Sequence, residues 1–205
     1  MPMWLLITAF GDCSVLLPVF LVTAAWLISR AATRRNGLLW ILTVFICIAV
    51  VGLSKLMYMS WDIGIPGLDF SGFSGHTALS SLIWPLVPAL LIPERNVLLR
   101  RTAIALGVLL AVGVAASRLG LGVHSISEVI LGGMLGFGFT AGFFFKLRNT
   151  TPRNSAPAWQ IGISLLLPLL LCYGHTFPSQ QLLKHIAISV SGHDTVFNNA
   201  PGTHY

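Results

Sequence analysis

The stretch "SRLGLGVHSISE", residues 117–128, brings Arg118, His124 and Glu128 close together. His124 and Glu128 are spaced i, i+4, so on a helix they share one face. There Glu128 accepts a proton from one ring nitrogen of His124, fixes its tautomer and leaves the other nitrogen as a nucleophile. A second histidine, His76 in "FSGHTALSS", is of the type that protonates a leaving oxygen. Arg118 offers a planar fork of donors suited to a phosphate or carboxylate, and Lys55 adds a point charge. The backbone N–H groups at Ser74, Gly75 and His76 open an apolar run, where a helix N-terminus favours an anion. Gly75 lets that backbone come close to a ligand. Together these are the parts of an anion site with a reaction centre in it.

Each part also has a plainer use. A histidine at a helix start caps it, an arginine at a membrane edge anchors it, and His124 with Glu128 makes a structural pair. Two histidines, an arginine, a lysine and a carboxylate on one face of the molecule are what point to chemistry. The tripeptide recurs at Ser191-Gly192-His193, followed by Asp194, but no apolar run follows and it reads as a local turn. No group of residues has metal-ligand spacing, so neither a metal nor another cofactor is expected.

The elements that must position these residues are membrane helices. Of the 205 residues, 55% are hydrophobic and 9% charged, with a mean hydropathy of +0.83, against about 25% charged in an ordinary soluble domain. Apolar segments run near 13–29, 37–54, 76–92, 101–117, 124–145 and 158–174. They predict an all-α polytopic bundle of about six transmembrane helices, with residues 3–10 as an interfacial lead-in. Residues 1–175 make the membrane domain, and 176–205 a tail with a short surface helix at 178–190 and a frayed end. With no basic leader and no clear cleavage site before Arg30, the first segment reads as a retained anchor.

The net charge of +6 does not point to nucleic acid, because the cations sit in short connections between spans. Nine of the twelve lie in alternate connections: Arg30, Arg34, Arg35, Arg95, Arg100, Arg101, Lys146, Arg148 and Arg153. The positive-inside rule puts those connections in the cytoplasm and the 55–75 and 118–123 loops outside. Cys13, Cys47 and Cys172 are an odd count in or beside apolar runs, which argues against a disulfide framework. Gly132 with Gly136, and Gly138 with Gly142, are small-xxx-small pairs that predict close helix packing.

These residues resemble the type 2 phosphatidic acid phosphatases, integral membrane lipid phosphatases related to haloperoxidases, whose motifs are K-x6-R-P, P-S-G-H and S-R-x5-H-x3-D. Ser117-Arg118, His124 and Glu128 match the third, with Glu for Asp. Ser74-Gly75-His76 matches the second, with Phe73 for Pro, and Lys55 opens the first. Asp62 and Ile63 stand where that motif has Arg and Pro. The resemblance covers roughly residues 50–145. It implies a metal-independent hydrolase of a lipid phosphate or pyrophosphate. In that reading His124 is the nucleophile that becomes a phosphohistidine, His76 the general acid and Glu128 the partner of His124. Lys55, Ser74, Gly75 and Arg118 hold phosphate oxygens, while Asp62 and Asp69 are candidate modulators of the site's charge. The expected setting is a bacterial inner membrane with the site on the periplasmic or extracellular side, and a lipid phosphate is the expected partner. A lipid phosphotransferase using the same site, and a non-catalytic lipid-phosphate binder or transporter, are the alternatives.

Overall fold

A computed structural model describes residues 2–65, 67–147, 158–192 and 195–197. The described residues form eight helices and no strand. They are α1 (Pro2–Ala9), α2 (Cys13–Ile28), α3 (Arg34–Trp61), α4 (Gly75–Leu91), α5 (Val97–Gly120), α6 (Ile126–Leu147), α7 (Ala158–Cys172) and α8 (Ser179–Ser191). Met3–Ile28, Arg34–Trp61, Val97–Gly120 and Ile126–Leu147 are each long and apolar enough to cross a bilayer, while Gly75–Leu91 and Trp159–Cys172 are shorter. The chain is an integral membrane protein built entirely of helices in its described part.

The short helix α4 is the hub. Thirteen of its 17 residues are buried, and it touches α2, α3, α5 and α6. A helix of that length spans about 25 Å, less than the hydrocarbon core. Its neighbours, and not lipid, surround it, so the shortfall exposes little of its backbone. Leu79, Leu82, Ile83, Leu86 and Leu90 form the centre of the core with Leu16, Val19, Trp40 and Val44. The outer helices instead turn large side chains such as Phe45, Leu98, Leu109, Phe145 and Leu170 outward, as a helix face in lipid does.

The two glycine pairs of α6 have different fates. A Cβ at Gly132 would lie 2.9 Å from the Ser74 carbonyl oxygen, and one at Gly136 would run into the Ala78 carbonyl and the Ser81 side chain. These two glycines therefore let α6 lie against the backbone of α4, and Thr140 Oγ1 donates to the Ser81 carbonyl further along the same seam at 2.8 Å. Nothing lies within 4 Å of a Cβ built at Gly138 or Gly142. That pair does not pack on a helix among the described residues. It lines an open apolar groove with Leu39, Met134, Phe139 and Phe143.

Helix ends sort by chemistry. The C-terminal ends of α3 and α5 and the N-terminal ends of α4 and α6 lie together and carry Lys55, Arg118, His76 and Glu128. The opposite ends carry Arg34, Arg35, Arg100, Arg101 and Lys146, with Arg30 and Arg95 in the adjoining connections. There the Arg100 guanidinium donates to the Ala89 carbonyl at 3.1 Å and closes the corner between α4 and α5. Arg148 and Arg153 of the basic connections, the His193-Asp194 of the repeated tripeptide, and the last residues of the tail lie outside the described residues. Gly192 ends α8 in a left-handed conformation, with φ 70°.

Candidate active site

The sequence places His124 on a helix with Glu128, but α6 begins two residues later, at Ile126. His124 lies in the turn between α5 and α6, and the contact is made by a helix cap. Ser125 Oγ accepts from the Glu128 N–H at 3.2 Å, and Glu128 Oε2 accepts from the Ser125 N–H at 3.2 Å. This is the reciprocal capping box of an S-x-x-E sequence, here Ser125-Ile126-Ser127-Glu128. The same Oε2 lies 2.6 Å from His124 Nδ1. Glu128 Oε1 accepts from the Ser71 N–H at 2.8 Å and from the Ser71 hydroxyl. The glutamate therefore has a donor on every side, and its length lets it serve the cap and the histidine at once. The side chains of His124 and Glu128 are only 9% and 5% exposed. Burial pushes the His124 imidazole below its ordinary value; the bond to Glu128 pulls it back up, while Lys55 and Arg118 push it further down.

The loop before α4 is held onto this cap. Ser125 and Ser127 donate their hydroxyls to the Asp69 carbonyl, the latter at 2.8 Å. Gly72, with φ 127°, passes so close to α3 that a Cβ would lie 2.8 Å from Lys55 Cγ; only glycine suits both the dihedral and the gap. Phe73 donates its N–H to Ser54 Oγ at 3.2 Å, a bond that proline could not make. Its ring meets Phe70 edge-on, with centroids 5.3 Å apart.

At the start of α4, Ser74 is fully buried, and its N–H donates to the Glu128 carbonyl at 3.2 Å. That donor, expected to face an anion, is already spent on joining α4 to α6. The first-turn N–H groups of Gly75, His76 and Thr77 remain as the anion-facing set, because a helix offers them no carbonyl. A Cβ at Gly75 would meet only Val51 Cγ1, at 3.4 Å, so the packing of the chain does not itself require glycine there.

Two cations flank these groups. Lys55, on α3, lies within electrostatic range of Glu128 and Arg118. Arg118, in the last turn of α5, donates through Nη1 to Thr8 Oγ1 at 2.9 Å, while its buried Nε has no partner among the described residues. Asp62 is the exposed C-cap of α3, in the left-handed region at φ 54°, and its N–H returns to the Tyr58 carbonyl at 2.8 Å. Asp69 contributes its backbone carbonyl, and its residue is exposed. An open hollow in front of His124 is lined by Gly67, Leu68, Asp69, Leu119, Ser125, Ile126 and Ser127.

Two residues of this site escape a reading of the sequence. Asp12 Oδ2 lies 3.6 Å from His76 Nε2, and Thr8 meets Arg118 as above. Both precede the motifs by many residues, and the only local signal is that of an N-cap: Asp12 Oδ1 accepts from the Ser14 N–H at 2.8 Å at the start of α2. They reach the site because α1 packs on α5, with Trp4 over Gly120, and because Gly11 fits between Val114 and His76. The link from α7 to α8 closes over this corner. The Phe177 N–H donates to Asp12 Oδ1 at 3.0 Å, Ser14 Oγ to the His175 carbonyl at 2.6 Å, and the Tyr173 hydroxyl to the Leu6 carbonyl at 2.9 Å.

Comparison with known proteins places these residues in context. Residues 58–152 match the family model described as the PAP2 superfamily. An uncharacterized 22.5 kDa protein in the cps region of Klebsiella pneumoniae is 39% identical over 197 residues, which is 95% of this chain and 94% of that one. Among solved structures, a transmembrane PAP2-type phosphatidylglycerolphosphate phosphatase from Bacillus subtilis is similar with a TM-score of 0.52. It is 25% identical in sequence, and the match covers 70% of this chain and 75% of that one.

Proposed function

The chain belongs to the PAP2 superfamily, and on that premise we propose that it is a membrane lipid phosphatase working through a phosphohistidine on His124. The observation that carries the reading is the His124–Glu128 contact at 2.6 Å, which commits Nδ1 to the carboxylate and leaves Nε2 to attack. In the first step Nε2 bonds to phosphorus and the bond to the leaving oxygen breaks, its electron pair and a proton from His76 going to that oxygen. In the second, water bonds to phosphorus, the P–N pair returns to His124, and the proton of water goes to His76. Lys55, the Arg118 guanidinium and the first-turn N–H groups of α4 hold the non-bridging oxygens and meet the charge that builds on them.

The setting favours a lipid monoester. Two fixed cations match the charge of one phosphate better than that of a pyrophosphate. Leu68, Leu119 and Ile126, at 49%, 40% and 67% exposure, give the hollow an apolar rim along which an acyl chain can lie. The phosphatidylglycerolphosphate phosphatase among the similar structures puts that lipid first among substrates to try, with phosphatidic acid beside it. The seven described cations in and beside the opposite helix ends favour a cytoplasmic placement there, and so an active site on the periplasmic or extracellular face.

The test is phosphate release from both lipids in mixed micelles by the purified chain and by His124→Ala. The variant is expected to lose at least about 10⁴-fold in kcat, as removal of a nucleophile does. Equal release by the two proteins sinks the nucleophile, and transfer to an acceptor lipid in place of release makes the enzyme a phosphotransferase. For sidedness, a cysteine at exposed Leu68 in a background without the native three should react with an impermeant thiol reagent from outside. Protection from that reagent in intact cells reverses the orientation.

A further inference from the structure

Outside the motif-bearing helices, one group faces the site with its charge unexplained by the fold. The two oxygens of Asp12 divide between different tasks. Oδ1 takes the structural work: it caps α2 through the Ser14 N–H and receives the Phe177 N–H. Oδ2 is turned to His76 Nε2 at 3.6 Å, an ion-pair distance, with the two side chains 12% and 22% exposed. A neutral acceptor would cap a helix as well as an aspartate does. A carboxylate beside a largely buried imidazole does something the cap does not require.

From this we infer that Asp12 is a positioning residue for the proposed acid: it holds the His76 ring and stabilises its protonated form, so that the proton is available when the ester bond breaks. The inference rests on the phosphatase reading above. The groups that face His76 are Asp12 from α2, Arg118 from α5 and His124 from the α5–α6 turn. Arg118 opposes a second positive charge on His76, as His124 does when protonated. Asp12 is the anion among the three, and without it the imidazolium would sit buried beside the Arg118 guanidinium. With Nε2 turned to Asp12, Nδ1 is the nitrogen left to face the leaving oxygen. The proton it delivers is regained from water in the second step, so His76 and Asp12 end the cycle as they began.

This corner is also where both flanks of the chain meet the motifs. Gly11 leaves room for the His76 ring: a Cβ there would lie 3.2 Å from His76 Cβ and collide with Val114. Trp84 of α4 donates its indole N–H to the Phe10 carbonyl at 3.0 Å and fixes the α1–α2 turn against the helix that carries His76. Asp12 is therefore held by α2, by α4 through that turn, and by the α7–α8 link.

The experiment uses the full chain in detergent and two phosphomonoesters that differ in the need for a proton. One is phosphatidic acid, whose alcohol leaves poorly; the other is an amphiphilic nitrophenyl phosphate, whose phenolate leaves unaided. Asp12→Asn keeps an acceptor for both structural bonds and removes the charge, and Asp12→Ser is a second neutral variant with a side chain that caps helices well. Either is expected to lose roughly 100-fold in kcat on phosphatidic acid, the scale of general acid catalysis, and less than about 5-fold on the nitrophenyl ester. The alkaline limb of the phosphatidic acid profile moves to lower pH, and Asp12→Glu recovers part of the loss. Equal losses on both esters, or none on either, overturn the role of Asp12 while leaving the phosphatase in place. Wild-type protein that cleaves neither ester overturns the phosphatase and this inference with it.

Discussion

The molecule holds two histidine–carboxylate pairs at one end of its bundle, and they are built in opposite ways. His124 and Glu128 are four residues apart, 2.6 Å from contact atom to contact atom, and enclosed by a helix cap. His76 and Asp12 are on different helices, 3.6 Å apart, and more open. The first pair is made by one turn of chain: the Ser125 cap that starts α6 also aims Glu128 at His124. The second exists only because the α1–α2 turn packs on α4 and α5. The pair proposed to present the nucleophile is local and saturated with hydrogen bonds. The pair proposed to gain and lose a proton in each turnover is looser, and its geometry depends on the α1–α2 turn and the α7–α8 link.

The sharpest way to break this contrast is to neutralise the local carboxylate. Glutamine at N3 satisfies the capping box, so Glu128→Gln should leave the start of α6 intact while removing the charge that steadies His124. The expected loss is roughly 10⁴-fold in kcat, in keeping with neutralising the carboxylate of a histidine-based triad. It should appear on the alkyl and nitrophenyl esters alike, because it acts on the nucleophile and not on the leaving group. A loss confined to phosphatidic acid would merge the two pairs into one function. Glu128→Asp, which restores the residue usual in the family, should also cost activity here, since the shorter chain cannot reach His124 and the Ser125 and Ser71 donors together.

What was legible in the sequence follows the same division. The apolar runs predicted the helices because a spanning segment must be apolar along its length, and the small residues Gly132 and Gly136 marked the α4–α6 seam. Gly138 and Gly142 carry the same spacing but face an open groove, because spacing does not say which side of a helix meets a neighbour. Lys55, His76, Arg118 and Glu128 were visible because short motifs put them at helix ends. The capping box at Ser125 was equally local, yet a simple helical reading of i, i+4 hid it. Asp12 and Thr8 were not legible: a carboxylate before Ser14 reads as an N-cap, and only tertiary packing carries it to His76. The departures at Phe73 and Asp62 acquire physical reasons in the structure, a Phe73 N–H bonded to Ser54 and an Asp62 that ends α3 in the left-handed region.

A second test separates the cations from the carboxylate in setting the state of His124. Burial holds its imidazole below the ordinary value near 6.5, and Lys55 pushes in the same direction. As the proposed nucleophile it must be neutral, so the acid limb of kcat/KM should fall below that ordinary value. Lys55→Met removes a charge that disfavours the imidazolium; the limb should move to higher pH, with a roughly 100-fold drop at the optimum from the lost phosphate contact. Glu128→Gln removes a charge that favours the imidazolium, so its limb should move the other way. Limbs that shift in the same direction in both variants would show that His124 is not the group titrating there.

The smallest effect should come from the other contact that α1 makes with the site. Thr8→Val keeps the size of the side chain and deletes the acceptor of the Arg118 Nη1 bond. If Thr8 only steadies a cation that binds phosphate, KM should rise about 3-fold, a fraction of what a charged hydrogen bond contributes, with kcat unchanged. Asp12→Asn should do the reverse, lowering kcat with little change in KM. Steady-state kinetics on phosphatidic acid for the two variants therefore decides whether the N-terminal segment acts on the site as one scaffold or at two separate points. A shared fall in kcat would mean that α1 and its turn move as a unit, and the second histidine pair would then be held by the whole segment and not by Asp12 alone.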